Sequence, residues 1–211
     1  FKLEARRLAT RLSARAEQAQ AVNTLAFDGS ATFGDNTDGA GLTRDLENNL
    51  RCALAGKRVL LMGAGGAARG VLLPLLEKQP AALTIANRTP DKANALAQHF
   101  ARWGECAACG YAELAGRQFD LVINATSASV SGDLPPLPEG IYAPGALVYD
   151  MMYGREPTPF LKYARAHGVA RIADGLGMLV EQAAESFFIW RGVRPETASV
   201  IAMLKGVNSE S

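Results

Sequence analysis

The 211-residue chain lacks most of the features that mark secreted or membrane proteins. It has three cysteines, Cys52, Cys106 and Cys109, which is both an odd number and too few for a disulfide framework. No apolar run approaches the ~20 residues that a membrane helix needs, and the N-terminus shows no charged-then-apolar signal pattern. We therefore expect reduced thiols, a cytoplasmic location and no membrane partner.

The sequence also has almost no net charge. Its 22 basic and 21 acidic residues leave a formal charge of +1, so no global field gathers nucleic acid or anionic lipid. Apolar residues make up 48% and charged residues 20%, a mix that buries a sizeable core. We expect a globular protein with a small-molecule partner and no nucleic acid. The sequence leaves open whether it is a monomer or a homodimer.

Residues for metal or hydrolase chemistry are scarce. Cys106 and Cys109 form a C-x-x-C motif with His99 upstream, but a zinc site needs four ligands and a second pair is absent. His99 and His167 are the only histidines, and no Gly-x-Ser-x-Gly elbow occurs. We expect no metal and no Ser-His hydrolase.

The first 40 residues alternate helix and strand signals. A four-residue apolar period predicts one amphipathic helix over residues 3–18, with its arginines on a solvated face. A β-prone run at residues 21–27 ends in the turn signal Asp28-Gly29, which predicts a strand and a hairpin turn. The polar, glycine-bearing stretch 34–39 predicts a loop that caps the next helix and forms a domain hinge.

From Lys57 onward, short apolar runs alternate with helical stretches. The runs lie at residues 59–62, 83–86, 121–123 and 147–149. Such strands predict a parallel sheet covered by helices on both faces, so the fold class is α/β with a Rossmann-type doubly wound sheet. Residues 176–201 predict two further helices, separated after Gly192 by Pro195.

A glycine-rich loop joins the first of these runs to a helical stretch. Gly63, Gly65 and Ala68 form a G-x-G-x-x-A pattern in the strand-to-helix context of the dinucleotide fingerprint. The first glycine makes the tight turn, and the second lets a pyrophosphate approach the backbone. Free N–H groups at the helix N-terminus then face the phosphates. The loop therefore predicts nucleotide binding.

The end of the next strand predicts which nucleotide is bound. An NAD enzyme holds an Asp or Glu there for the ribose hydroxyls, whereas this chain has Asn87, Arg88 and Thr89, with Lys92 one turn on. No carboxylate occupies residues 86 to 90. A guanidinium pairs bidentately with a 2′-phosphate, which an acid would repel. We therefore expect NADP(H).

Several motifs run in order across nearly the whole chain. They are Phe1-Lys2 before the arginine-rich helix, Ala21-Val22-Asn23-Thr24, Gly34-Asp35-Asn36-Thr37-Asp38-Gly39, Gly63 to Ala67, Asn87-Arg88-Thr89, Asn124-Ala125-Thr126-Ser127 and Ala173-Asp174-Gly175-Leu176-Gly177-Met178. Together they resemble the shikimate dehydrogenase family. The resemblance implies reversible, NADPH-dependent reduction of 3-dehydroshikimate to shikimate, a step of aromatic amino-acid biosynthesis.

The resemblance also implies which residues form the site. Lys2 and Asp38 match the family's catalytic pair, and Asn23, Tyr153 and Gln182 match positions that hold the ring hydroxyls of the substrate. The matched cofactor positions are Gly63, Ala64, Gly65, Gly66, Ala67, Asn87, Arg88, Thr89, Lys92, Thr126, Met151 and Gly175. Lys92 stands where many members have arginine, which keeps the charge but loses the guanidinium fork.

The residue types suit this chemistry. When hydride reaches a ketone, negative charge develops on the oxygen and a positioned donor must neutralise it. Lys2 would supply that charge, with the Asp38 carboxylate holding the ammonium in place. Whether Lys2 transfers the proton or only orients the substrate stays open. Asp38 would also suit the N-cap of a helix.

The resemblance implies a discontinuous architecture. Residues 1–38 and 175–211 would form the substrate domain, residues 39–174 the NADP-binding domain, and the cleft between them the active site. The family's serine pair and threonine that grip the substrate carboxylate would precede Phe1, so we expect a substrate domain without its front. A chain of this extent is expected to bind cofactor and to turn over shikimate poorly.

Two alternatives stay open. One is a quinate/shikimate paralogue that uses NAD, against which Arg88 argues. The other is a nucleotide-binding fragment without turnover. Glutamyl-tRNA reductase and methylene-tetrahydrofolate dehydrogenase share the glycine loop, but neither is expected to contain the Asn-Thr-Asp-Gly sequence at residues 36–39.

Overall fold

The computed structural model describes residues 1–126 and 134–209, with side chains as far as Gly206. Ser127, the last residue of one motif, lies outside the described residues. Two sheets organise the chain, one of three strands and one of six. No helix within the described ranges is long and apolar enough to cross a bilayer.

The small sheet is formed by the first 35 residues. Its strands are β1 (Arg11–Leu12), β2 (Thr24–Asp28) and β3 (Ala31–Asp35), in the order β1-β3-β2. β2 and β3 form the predicted hairpin, and Gly29 takes the left-handed conformation, φ +57°, that its turn requires. Helices α1 (Lys2–Leu8) and α2 (Ala14–Ala19) precede and follow β1.

The prediction of one helix over residues 3–18 is wrong, because residues in the middle of this segment form a strand of the small sheet. The Thr10 N–H donates to the Thr32 carbonyl oxygen at 2.8 Å, and β1 pairs in parallel with β3. Ser13 then caps α2, its hydroxyl accepting the Ala16 N–H at 3.1 Å. Such pairing and side-chain capping compete with a continuous helix, and both depend on strand β3, about 20 residues away.

The large sheet confirms the predicted doubly wound class. All its strands are parallel, in the order β6-β5-β4-β7-β8-β9. They are β4 (Arg58–Met62), β5 (Ala82–Ala86), β6 (Ala107–Cys109), β7 (Phe119–Asn124), β8 (Tyr142–Asp150) and β9 (Arg171–Ala173). The order reverses between β4 and β7, and ligands bind in such sheets beyond the carboxyl ends of the strands at that point.

Helices cover both faces of this sheet. They are α3 (Asp38–Arg44) with a π-helical turn (Asp45–Asn49), α4 (Gly66–Glu77), α5 (Pro90–Phe100), a 3-10 turn (Tyr111–Leu114), α6 (Pro159–Ala166), α7 (Leu176–Arg191) and α8 (Ala198–Ser209). Leu60 and Leu61 are fully buried in two different apolar clusters, as the alternation of side chains along a strand requires.

The predicted break between the C-terminal helices is confirmed. Helix α7 ends before Gly192, whose φ of +70° is the left-handed conformation that commonly follows a helix. Helix α7 packs so closely on α3 that a β-carbon at Gly41 would meet the Met178 carbonyl oxygen at 2.7 Å. This contact places Gln182 beside the start of α3. The domain boundaries at residues 38 and 174 stay a prediction.

Candidate active site

The glycine loop turns sharply where β4 ends. Gly63 has a φ of +104°, and its N–H donates to the Ala86 carbonyl oxygen at 2.8 Å. A β-carbon on Gly63 would lie 3.1 Å from the Ala125 carbonyl oxygen. Glycine is therefore required here for both conformation and space.

The next two glycines leave room for a ligand. Gly65 is the N-cap of α4, and no side chain caps that helix terminus. A β-carbon on Gly65 or Gly66 would meet no described heavy atom within 4 Å. The first amides of α4 thus face open space, which suits a pyrophosphate.

A groove of about 780 Å³ extends from this loop across the carboxyl ends of the strands. The predicted cofactor residues that line it are Gly63, Ala64, Gly65, Gly66, Ala67, Asn87, Arg88, Thr89, Lys92 and Thr126. No described residue of its lining is acidic. The groove therefore fits a phosphate-rich dinucleotide.

Arg88 and Lys92 place two cations at one end of the groove. The Asn87 side-chain amide donates to the Thr89 carbonyl oxygen at 2.9 Å and shapes the turn between β5 and α5. Thr89 is the N-cap of α5 and Pro90 its first residue, a favoured position for proline. The turn thus holds Arg88 one helical turn before Lys92, and both line the groove.

Met151 and Gly175 meet at the other side of the sheet's carboxyl edge. The Met151 N–H donates to the Asn124 carbonyl oxygen at 3.0 Å, and the Gly175 N–H to the Met152 carbonyl oxygen at 3.1 Å. A β-carbon on Gly175 would overlap the Met151 carbonyl. Neither residue lines the groove directly, but their neighbour Met152 does.

Lys2 and Asp38 form an ion pair between the first residues of α1 and α3. The Lys2 ammonium donates to Asp38 Oδ2 at 2.5 Å. The Lys2 side chain is 52% exposed, whereas that of Asp38 is 9% exposed. A buried carboxylate therefore holds an ammonium that substrate can reach.

Asn23 links this pair to helix α7. Its side-chain nitrogen donates to Asp38 Oδ1 at 2.8 Å and to Gln182 Oε1 at 3.1 Å. Its oxygen accepts the Thr37 backbone N–H at 3.0 Å, which fixes the orientation of the amide. Lys2, Asn23, Asp38 and Gln182 thus form one hydrogen-bonded set, called here the polar cluster.

Tyr153 lies outside the polar cluster, and Asp38 does not cap helix α3. Tyr153 is 48% exposed and makes no hydrogen bond among the residues that the structure describes. The structure does not join it to the polar cluster. The suggestion that Asp38 caps α3 is wrong: Thr37 holds the N-cap position, and the Asp38 carboxylate is engaged by Lys2 and Asn23 instead.

Arg15 also departs from the prediction of a solvated arginine face. It donates to both carboxylate oxygens of Asp35, at 2.8 and 2.7 Å, and to Glu185 at 2.9 Å. The Glu185 carboxylate also accepts a hydrogen bond from the Arg194 guanidinium. These ion pairs tie α7, which carries Gln182, to the sheet that leads into Asp38.

Two buried networks of side-chain hydrogen bonds have no counterpart among the sequence predictions. Thr24 and Ser186 share a hydrogen bond of 2.6 Å beneath the polar cluster. At the carboxyl edge of the large sheet, buried Asp150 accepts the Thr158 hydroxyl at 2.6 Å and the Asn124 amide at 3.3 Å. Isolated threonines and serines carry no sequence signal for such pairing.

The three cysteines are free thiols, and burial raises the pKa of each. A raised pKa lowers the reactivity of a thiol. Among the described residues, no three His, Cys, Asp or Glu side chains are grouped so that they could hold a metal ion.

Comparisons with known proteins agree on one family. The family model for shikimate / quinate 5-dehydrogenase matches residues 45–131, and that for the shikimate 5′-dehydrogenase C-terminal domain matches residues 175–204. Shikimate dehydrogenase (NADP(+)) of Dechloromonas aromatica is 66% identical over 97% of this chain and 75% of its own length.

Solved structures show the same likeness. The crystal structure of an enzyme from Pseudomonas putida is 52% identical, with a TM-score of 0.90 over 97% of this chain and 75% of that one. A shikimate 5-dehydrogenase from Thermus thermophilus, in complex with NADP(H) and shikimate, is 29% identical, with a TM-score of 0.82 over 98% and 76%.

Proposed function

Because this chain belongs to the shikimate/quinate dehydrogenase family, we propose that it is an NADP-dependent shikimate dehydrogenase. It interconverts 3-dehydroshikimate and shikimate, a step of aromatic amino-acid biosynthesis. One observation carries the proposal: Asp38 binds Lys2 and Asn23 at once, at 2.5 and 2.8 Å. This arrangement presents a fixed cation and an amide together next to helix α4, whose first residues line the nucleotide groove.

The cofactor end of the site is assigned from its charge and space. The glycine loop and the first amides of α4 hold the pyrophosphate, and Arg88 and Lys92 hold the 2′-phosphate. We assign Thr126, which lines the groove, and the adjoining Met151 and Gly175 to the nicotinamide end, where β7, β8 and α7 meet. Bound NADPH supplies the hydride.

The Lys2 ammonium neutralises the negative charge that develops on the substrate oxygen. During reduction, the carbonyl oxygen becomes an alkoxide, which the Lys2 ammonium stabilises and protonates. Asp38 keeps the ammonium in place, and the burial of Asp38 fixes the position of the Lys2 donor. In the reverse direction the same pair accepts the hydroxyl proton.

Asn23 and Gln182 orient the ring. Gln182 accepts from Asn23 through its oxygen, which leaves its amide nitrogen as a donor for a substrate hydroxyl. Helix α7 begins next to Gly175 and carries Gln182 two turns later. One helix therefore spans from the nicotinamide end to the polar cluster. Tyr153 is proposed as a further hydroxyl contact, reached from its exposed position.

The test is a comparison of kcat/KM for four substrate pairs: shikimate or quinate, each with NADP⁺ or NAD⁺. The proposal expects the highest value for shikimate with NADP⁺. A preference for quinate with NAD⁺ would favour the paralogue instead. Tight NADPH binding without any turnover would favour a nucleotide-binding fragment.

A cytoplasmic location, a monomeric or homodimeric state and the lack of a nucleic-acid partner stay predictions. Cell fractionation tests the first, and light scattering of the purified protein tests the second. Titration with labelled RNA and DNA at physiological salt tests the third.

A further inference from the structure

Tyr111 lies beside the cationic end of the groove, although no motif marks it. It follows β6, the strand next to β5, and opens the 3-10 turn. The two strand ends are tied together, since the Asn87 N–H donates to the Cys109 carbonyl oxygen at 3.2 Å. A β-carbon on Gly110 would lie 3.2 Å from Pro90. Tyr111 therefore neighbours the turn that carries Arg88.

The side chain is buried but borders the groove. Tyr111 is 8% exposed, packed in the apolar cluster beneath β5 and β6, and its remaining surface lines the groove. Its hydroxyl makes no hydrogen bond to the described residues. The Tyr111 hydroxyl is thus positioned for a partner that enters the groove.

The phenol is a donor at any working pH. Burial raises the pKa of Tyr111 to about 12, although the nearby Arg88 guanidinium opposes this rise. Arg88 and Tyr111 line the same groove. A neutral O–H beside a guanidinium suits an anionic oxygen, to which it forms a short, charge-assisted hydrogen bond.

We propose that the Tyr111 hydroxyl donates a hydrogen bond to the 2′-phosphate of NADP(H) and so contributes to the preference for NADP over NAD. This inference rests on the proposed function. A 2′-phosphate presents several acceptor oxygens, and Lys92 offers only a point charge without a guanidinium fork. Tyr111 supplies an additional directed donor for a phosphate oxygen, beside the charges of Arg88 and Lys92.

The experiment measures dissociation constants of NADPH and NADH by calorimetry for the wild type, Tyr111→Phe and Tyr142→Phe. Tyr142 is the matched control, because its hydroxyl also has no partner among the described residues but is sealed from solvent and outside the groove. Tyr111→Phe should weaken NADPH roughly 10- to 100-fold, as for loss of a hydrogen bond to a charged group. NADH binding should be unchanged, and Tyr142→Phe should match the wild type for both cofactors.

Adenosine 2′,5′-bisphosphate and AMP repeat the test without the nicotinamide end. Only the bisphosphate should lose affinity in Tyr111→Phe. Unchanged NADPH binding by this variant, or an equal loss for NADPH and NADH, overturns the inference. If the wild type binds NADPH and NADH equally, the NADP assignment itself fails, which is a separate result. Thermal melting confirms that both variants are folded.

Discussion

The Asp38 carboxylate binds the Lys2 ammonium through one oxygen and the Asn23 amide through the other. Lys2 and Asp38 are 36 residues apart and begin different helices. The buried acid therefore orients both an exposed cation and an amide that continues to Gln182. Removing the acid should disturb several substrate contacts at once.

This relationship predicts non-additive kinetics. Lys2→Ala should lower kcat by ~10²–10⁴-fold, the scale for losing general-acid or electrostatic help. Asp38→Asn keeps the shape but loses the charge that holds Lys2, so kcat should also fall. The double variant should lose much less than the two losses combined, because the residues act as a unit.

Arg7→Ala is the matched control for this cycle. Arg7 is a cation on the same helix, but among the described residues it pairs only with exposed Glu4. Its removal should leave kcat unchanged, and NADPH affinity should be similar in all variants. A Lys2→Ala enzyme with normal kcat, or fully additive losses, would rule out the pair as a catalytic unit.

Arg88→Asp should reverse or erase the cofactor preference. It removes a charge-assisted bond to the 2′-phosphate, worth ~1.5–3 kcal/mol or about 10- to 150-fold in NADPH affinity, and supplies an acid for ribose hydroxyls. Lys162→Asp, at an exposed ion pair outside the groove, is the control. Similar NADPH and NADH constants in the wild type would refute the NADP assignment.

Gly65→Ala should reduce cofactor affinity without reducing stability. A β-carbon there meets no atom of the described residues within 4 Å, but it occupies the space assigned to the pyrophosphate. Gly41→Ala is the contrasting variant, because its β-carbon would meet the Met178 backbone and the Gln182 side chain. It should lower stability by ~1–3 kcal/mol through overpacking.

Calorimetric titration with NADPH and thermal melting of the same samples check this pair. Gly65→Ala with wild-type affinity would place the pyrophosphate elsewhere. A melting temperature that falls as far in Gly65→Ala as in Gly41→Ala would show that the loop glycine serves folding.

The ion pair of Arg15 and Glu185 should be worth more than surface ion pairs. The two residues are 170 positions apart, and Arg15 also binds buried Asp35. Arg15→Met leaves both carboxylates without this cation and should lower the free energy of unfolding by ~2–3 kcal/mol, at the low end for a buried pair because Arg15 is a quarter exposed. Arg7→Met, at an exposed pair, should cost under ~1 kcal/mol.

The same pair predicts a pH dependence of stability. Burial works to raise the pKa of Glu185, but hydrogen bonds from Arg194 and Arg15 outweigh it and lower the pKa. A lowered pKa stabilises the fold above the ordinary glutamate range, and that stability is lost as pH falls through the folded-state pKa. Urea unfolding should therefore show the stability gap between wild type and Glu185→Gln shrinking toward acid pH. A gap independent of pH would mean that Glu185 is not ionised in the fold.

Much of the nucleotide domain is predictable because its signals are local. The apolar run at residues 59–62, the turn at Gly63 and the helix after it follow one another within a dozen residues. Residues 87–89 directly follow the second strand, so their position at the groove needs only the parallel order. The polar cluster, by contrast, is predictable only from the family resemblance, since Lys2 alone has the pattern of an exposed lysine.

The failures share a long-range cause. The helix expected at residues 3–18 is interrupted because β1 pairs with β3, which the four-residue period cannot reveal. Arg15 finds its partner Glu185 at the far end of the chain. Tyr111 follows β6, a strand of three residues whose small side chains give no strand signal. In the first case, tertiary pairing overrides local propensity.

The most direct test follows the hydride itself. The purified chain, at a concentration above that of substrate, is mixed with 3-dehydroshikimate and NADPH that carries two deuterium atoms at the reactive carbon of its nicotinamide ring. We expect shikimate with one deuterium on the new carbinol carbon, formed much more slowly by Lys2→Ala. Such a measurement needs only a single turnover, so slow catalysis does not obscure it. NADPH that binds but transfers no deuterium to 3-dehydroshikimate would contradict the assigned function.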